Sequence, residues 1–220
     1  KAIEQAASQA DIVMLASPNN PTGNTLDPAW IAALSRRVRG FVVVDEAYGE
    51  FADDATSCIG LLESCDNVAV LRTFSKAFAS AGLRCGYLLA PPALVEGIAA
   101  VRQPYSVDVV SQAIARVVVG MRASFAPSVS AIKSERARMA EGLARIDGVS
   151  VWPSEGNFLL VRMAHAHAVY ERLRDEYSIL ARDFSRAPLL KDCLRITVGT
   201  PGENDRVLAA MSSIAKEGMS

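Results

Sequence analysis

The segment Thr73-Phe74-Ser75-Lys76-Ala77-Phe78-Ala79-Ser80-Ala81-Gly82-Leu83-Arg84-Cys85-Gly86 gathers two hydroxyls, a primary amine and a guanidinium among small residues. It follows the apolar run Asn67 to Leu71, which reads as a strand. The amine therefore stands just past a strand end, where open α/β sheets bind their ligands. Thr73 and Ser75 offer neutral donors and Arg84 a fork-shaped cation, a set that suits a phosphate. Beside them, Lys76 has an amine able to condense with an aldehyde. An aldehyde and a phosphate on one small molecule describe pyridoxal phosphate (PLP). Taken alone, the segment reads rather as a polar turn with a surface lysine, since short motifs match by chance.

Two earlier strand ends carry polar residues that a PLP ring needs. Asp45 follows Val42 to Val44, so its carboxylate emerges at the carboxyl edge of the sheet. An acid paired with the pyridine nitrogen keeps it protonated, and the ring then serves as an electron sink for a substrate carbanion. Tyr48, three residues on, can present its phenol to the ring oxygen, and Asn20, after the preceding strand, can donate to the same oxygen. Each has an ordinary alternative: Asn20 as a turn former, Asp45 as a helix cap, Tyr48 as half-buried packing. Their occurrence at successive strand ends, with Lys76 on the third, favours the joint functional reading.

The elements that must position these residues are legible as a coarse pattern. Ile12 to Ala16 reads as a buried strand, and Ser17 to Gly23 as a turn dense in Pro, Asn and Gly. Asp27-Pro28 predicts an N-cap and a first-turn proline for a helix towards Arg39. Phe41 to Val44 and Val68 to Leu71 are further strands, with Cys85 to Leu89 as a fourth. Continuous β-branched runs suit a sheet covered on both faces, and strands separated by helices predict an α/β architecture with a mainly parallel sheet. After Pro91-Pro92 the character changes. Helices are expected over Val109–Met121, Pro127–Ile146 and Ala168–Tyr177, and short strands over Val149–Trp152, Phe158–Met163, Ile179–Ala181 and Leu194–Val198. Thr200-Pro201-Gly202-Glu203 forms a capping-box pattern that opens a last helix to about Lys216. The expected organisation is a large-domain remainder over 1–106 and a C-terminal α+β small domain, with its leading interdomain helix, over 107–220.

Composition narrows the classes of function. The 220 residues are half apolar and one fifth charged, with a formal net charge of −1, so there is no electrostatic reason to bind nucleic acid or an acidic membrane. No apolar run reaches spanning length. Cys58, Cys65, Cys85 and Cys193 form no C-x-x-C pair, which points to a reducing, cytoplasmic setting. His165 and His167 make an H-x-H without further ligands, so no metal site is expected; they read as surface residues before a helix. The chain opens at Lys1 without an initiator Met, and the expectation is a portion of something longer.

Ser-Pro-Asn-Asn-Pro-Thr-Gly, Val-Val-Asp-Glu-Ala-Tyr, the Lys76 segment and Leu-Arg-Ile-Thr-Val-Gly-Thr together resemble the fold-type I PLP aminotransferases, with the closest likeness to histidinol-phosphate aminotransferases. The resemblance covers nearly the whole chain. It implies that Lys76 holds the cofactor and shuttles the substrate proton, that Asp45 pairs with the pyridine nitrogen, and that Asn20 and Tyr48 contact the phenolic oxygen. It places Thr73, Ser75 and Arg84 around the cofactor phosphate. Arg195 would clamp a substrate carboxylate and Arg182 would face a substrate phosphate. Asn157-Phe158 resembles a segment near the substrate, whereas Pro104-Tyr105-Ser106-Val107 departs from the Asn-containing form of many relatives. Arg195 also suits its role physically: apolar Leu194 and Ile196 flank it, so its planar fork leaves the strand on the opposite face.

The reaction implied is transamination of histidinol phosphate with 2-oxoglutarate, giving imidazole acetol phosphate and glutamate in histidine biosynthesis, by a homodimer. Amino donor and 2-oxo acid would be its small-molecule partners. The alternatives are a PLP decarboxylase of a phosphorylated amino acid and a non-catalytic ligand-sensing module within a transcription regulator, for which the chain has no basic recognition helix. In the resembled family, a preceding portion supplies a ring that stacks on PLP, amides for its phosphate and residues that complete the partner's site. A third alternative is that this chain, without that portion, is an inactive fragment; its sheet would then have two unpaired edges.

Overall fold

The computed structural model describes residues 2–218 and divides into two compact units, Lys1–Asn19 with Thr25–Pro127, and Asn20–Asn24 with Ser128–Ser220. The sequence places the change near residue 107; the units part after Pro127. The reason is tertiary. Helix α4 (Val109–Gly120), capped by Asp108, packs Ala115 and Val118 against Phe74 of the Lys76 segment, with Phe78, Cys85 and Phe125 at the edge.

The first unit is a four-stranded sheet in the order β1 (Ile12–Ala16), β2 (Phe41–Asp45), β3 (Val68–Thr73), β4 (Gly86–Leu89). The first three strands are parallel and β4 is antiparallel to β3. Helix α1 (Ala2–Ala7) precedes the sheet. Between β1 and β2 runs α2 (Pro28–Ser35), with Asp27 accepting from the Ala29 amide and Pro28 in the first turn. It stops at Ser35, short of the expected Arg39, because Arg36–Gly40 turns the chain into β2. One sheet face is fully packed: Val42, Val44, Val68 and Val70 meet Ile31, Leu34 and Cys58. Each such side chain contributes about 1.5–3 kcal/mol by burial. The expectation of a sheet covered on both faces holds only in part. The other face bears a groove lined by Phe41, Val43, Ala69, Leu88 and residues of α3 (Pro92–Val101), and Ile12 and Met14 on edge strand β1 are exposed.

The second unit is an antiparallel sheet in the order β5 (Ser150–Val151), β6 (Phe158–Arg162), β8 (Cys193–Thr197), β7 (Arg182–Asp183). Helices α5 (Ala126–Ala144), α6 (Ala166–Asp175) and α7 (Pro201–Lys216) bury Met139, Leu143, Val169, Leu173, Met211 and Ile214 against Leu159, Val161, Leu194 and Ile196. The strand expected over Ile179–Ala181 lies instead at Arg182–Asp183. Ser178 adopts a left-handed φ of 55° and the Ile179 amide donates back to Leu173 O at 2.8 Å, so these residues close α6. Arg182 consequently sits inside a strand. The Thr200–Glu203 capping box at the start of α7 is formed. Among the described residues no single helix is long and apolar enough to cross a membrane, and all four cysteines are free.

Candidate active site

At the carboxyl ends of β2 and β3 the first unit opens into a cleft of about 600 Å³, within the range of small-molecule sites. Asp45, Arg72, Thr73, Ser75, Lys76, Arg84 and Tyr87 are among its lining residues. Asp45 ends β2, and its Oδ1 accepts from the Ala47 amide at 2.9 Å, which fixes the carboxylate at the strand tip. Thr73 ends β3. Its hydroxyl donates to Ser75 Oγ at 3.0 Å and accepts from the Ser75 amide at 3.1 Å, holding the two hydroxyls together. Lys76 is exposed, its Nζ 5.2 Å from the centroid of the buried Tyr48 ring. Arg84 takes a left-handed φ of 49° after a short 3-10 turn and donates to Ala81 O at 3.0 Å. Among the sequence-derived candidates, the cleft thus gathers Asp45, Thr73, Ser75, Lys76 and Arg84, with Tyr48 against the lysine.

Beside the cleft lies a charged cluster that the sequence reading did not single out. Glu46 is 1% exposed. Its Oε2 accepts from Arg72 Nη2 at 2.6 Å, Arg72 Nε at 3.0 Å and Ser57 Oγ at 2.9 Å, and its Oε1 from the Cys58 amide. Arg72 Nη1 donates to Glu50 at 2.8 Å. Burial alone would lower the Arg72 pKa, but the Glu50 bond and the Glu46 charge outweigh it and the net shift is upward. Burial, reinforced by Glu46, pushes the Cys58 thiol up to about 12, so this cysteine is an inert core residue. A signal was available: opposite charges end two adjacent apolar runs, at Glu46 and Arg72.

Asn20, Arg182 and Arg195 belong to the second unit. Arg195 leaves β8 on the face opposite Leu194 and Ile196. Its Nη1 donates to Asn20 Oδ1 at 2.7 Å and its guanidinium carbon sits 5.1 Å from the Phe158 ring centroid. Arg195 Nε is buried without a hydrogen-bond partner. Arg182 is the cross-strand partner of Arg195 in the β7–β8 ladder and is exposed. Like charges placed directly opposite each other destabilise a sheet, and an anion accepted by both relieves that repulsion.

Asn20 reaches Arg195 because its turn is clamped to the second unit. The Glu155 amide donates to Gly23 O at 2.7 Å. Gly23 has a φ of 78° and lies where a Cβ would meet Ser154 Oγ at 2.3 Å, so only glycine fits. Arg136 holds the other side of this loop through Gly156 O at 2.8 Å and Glu155 at 3.0 Å. Behind Arg182, His167 Nδ1 bonds Asp183 at 2.7 Å. His167 lies inside α6 rather than before it, and no group of three or more metal-ligating side chains occurs among the described residues.

A mainly parallel sheet whose strand ends present Asp45, Thr73, Ser75 and Lys76 defines a class. Residues 1–211 match the family described as aminotransferase class I and II, to which this chain belongs; its fold is that of the PLP-dependent, fold-type I enzymes. The chain is 44% identical over 217 residues to a histidinol-phosphate aminotransferase of Xanthomonas campestris pv. campestris (96% of this chain, 59% of that protein). It is 37% identical over 207 residues to one from Ruminiclostridium cellulolyticum (94% and 57%). Among solved structures it is similar to histidinol-phosphate aminotransferase from Sinorhizobium meliloti in complex with pyridoxal-5'-phosphate, with TM-score 0.85 and 29% identity over 95% of this chain and 58% of that one. L-threonine-O-3-phosphate decarboxylase from Porphyromonas gingivalis gives TM-score 0.82 and 27% identity over 92% and 64%. The chain therefore spans 57–59% of the length of the two aminotransferase sequences.

Proposed function

We propose that the protein containing this chain is a PLP-dependent aminotransferase acting on histidinol phosphate, with 2-oxoglutarate as acceptor and imidazole acetol phosphate and glutamate as products. The observation that carries this reading is the cleft that puts an exposed Lys76 amine, the Asp45 carboxylate, two coupled hydroxyls and a guanidinium around one volume. The donor set fits PLP: cations and hydroxyls for a phosphate, an amine for the aldehyde, a carboxylate for the pyridinium. When bound, PLP supplies an electron sink for negative charge developing at the substrate α-carbon.

The chain's own residues do the rest. Thr73, Ser75 and Arg84 hold the phosphate end. Asp45 keeps the ring nitrogen protonated by charge pairing. Lys76 Nζ would hold the cofactor and, as a free amine, would take the α-proton as general base. Tyr48, under that amine, contacts the phenolic oxygen together with Asn20. Arg195, held by Asn20 and Phe158, offers its fork to a carboxylate, and Arg182 beside it takes a phosphate. That pairing lets one pocket serve both a phosphorylated donor and a dicarboxylate acceptor. We read the working form as a cytoplasmic homodimer.

The test uses the full-length protein. PLP should give a visible absorption band that borohydride abolishes while fixing the cofactor covalently to the Lys76 peptide, and Lys76→Ala should lack both. Attachment to another lysine refutes the assignment. Carbon dioxide release from a phosphorylated amino acid, without glutamate formation from histidinol phosphate, would favour the decarboxylase instead.

A further inference from the structure

We propose that Arg72 is a positioning residue for the cofactor cleft: bonded to Glu46 and Glu50, its guanidinium fixes the spacing between Asp45 on β2 and the Thr73–Lys76 segment on β3. This rests on reading the cleft as the PLP site.

The parallel ladder between β2 and β3 ends at the Asp45–Leu71 pair, followed by one further bond from the Glu46 amide to Leu71 O at 2.9 Å. Beyond that point the two chains diverge into separate turns, yet the groups that must act together lie on those turns. Arg72 carries the tie past the end of the ladder. Two of its nitrogens converge on Glu46, the residue after Asp45, and a third reaches Glu50 in the turn that follows. Ser57 bonds both Glu46 and Arg72 and closes the ring from a third segment.

The arrangement is stiff. Side-chain exposure is 11% for Arg72, 2% for Glu46 and 17% for Glu50, so water does not loosen the fork. Gly49 lies against the guanidinium so closely that a Cβ there would stand 2.8 Å from Arg72 Cζ. The same side chain lines the cleft, so a shift of the guanidinium displaces both the cleft wall and the two strand tips it joins. A planar fork does this and a lysine cannot, because three directed donors are used at once.

Gly49→Ala is the sharp probe, because it moves Arg72 without altering any charge or hydrogen-bonding group. A second probe is the double variant Arg72→Gln with Glu46→Gln. It removes the Arg72 and Glu46 charges together, so the fully buried Glu46 carboxylate is not left unpaired, and the charge that remains, on Glu50, is the more exposed of the two acids. Full-length wild type and both variants are melted without cofactor to establish folding, then titrated with PLP and followed by absorbance. Folded variants should bind PLP about tenfold or more weakly, the fold-change of losing one hydrogen bond to a charged group, and the bound cofactor should absorb at a shifted maximum. Wild-type affinity and spectrum in a folded variant would make Arg72 a stability residue only and overturn the proposal. If Gly49→Ala does not fold, the double variant decides. Failure of the wild type itself to bind PLP refutes the reading of the cleft, a result distinct from any behaviour of the variants, and the proposal falls with it.

Discussion

Arg182→Ala asks whether the paired arginines read a phosphate. Arg182 and Arg195 oppose each other across the β7–β8 ladder. Arg195 is already engaged by Asn20 and Phe158, whereas Arg182 is exposed and has no side-chain hydrogen bond or ion pair among the described residues. An exposed group does not merit the larger penalty of a truncated buried pair. A hydrogen bond to a charged group contributes about 1.5–3 kcal/mol, which is roughly a ten- to hundredfold change in rate constant. The assay is kcat/KM for the amino-donor half-reaction of full-length wild type and Arg182→Ala, on histidinol phosphate and on phenylalanine. Histidinol phosphate should lose about ten- to a hundredfold. Phenylalanine carries no phosphate and should lose less than about fivefold, the scale of an exposed charge contact. Equal losses on both substrates would remove the phosphate role and leave a generic aminotransferase.

Asp45→Ala should leave PLP binding largely intact, since Lys76 and the phosphate donors remain, while turnover collapses; near wild-type turnover would show that Asp45 does not face the ring nitrogen. Thr200→Ala breaks the capping box of α7, whose hydroxyl contact with the Glu203 amide is long at 3.4 Å. The cost should fall at the low end of about 0.5–2 kcal/mol, lowering the thermal midpoint by about 1–4 °C; an unchanged midpoint would mean that the cap contributes nothing.

The parallel sheet was legible because its strands are short β-branched runs closed by turn residues, a signal carried within each segment. The same holds for Asp27-Pro28 and the Thr200 box, which are local chemistry. What escaped the sequence depends on distant partners. Strand β7 is two residues long and has no periodicity of its own; pairing with β8 makes it a strand. The turn around Tyr105 and Asp108 reads as a boundary, yet α4 beyond it is held by Phe74, more than thirty positions earlier in sequence. Asn20 stands out by its position after β1, but its bond to Arg195, 175 positions away, has no local signal. Arg72 was passed over because one charged residue at a strand end is unremarkable until its carboxylate partners are seen.

The Asn20–Arg195 bond joins residues 175 positions apart. Closing a loop that long adds entropy only logarithmically, so the cost in equilibrium stability is modest. The cost in time is of another kind. Contacts of high sequence separation slow folding, and synthesis proceeds at about 5–20 residues per second. On a ribosome the turn that carries Asn20 emerges well before β8 exists to receive it, since Arg195 lies 175 positions further on. Arg195 is therefore expected to reach its final setting late, after the sheet that precedes Lys76 has had time to form. A nascent chain stalled before Cys193 would hold a lysine-bearing cleft with no β8 and no Arg195, the residue proposed for the substrate carboxylate.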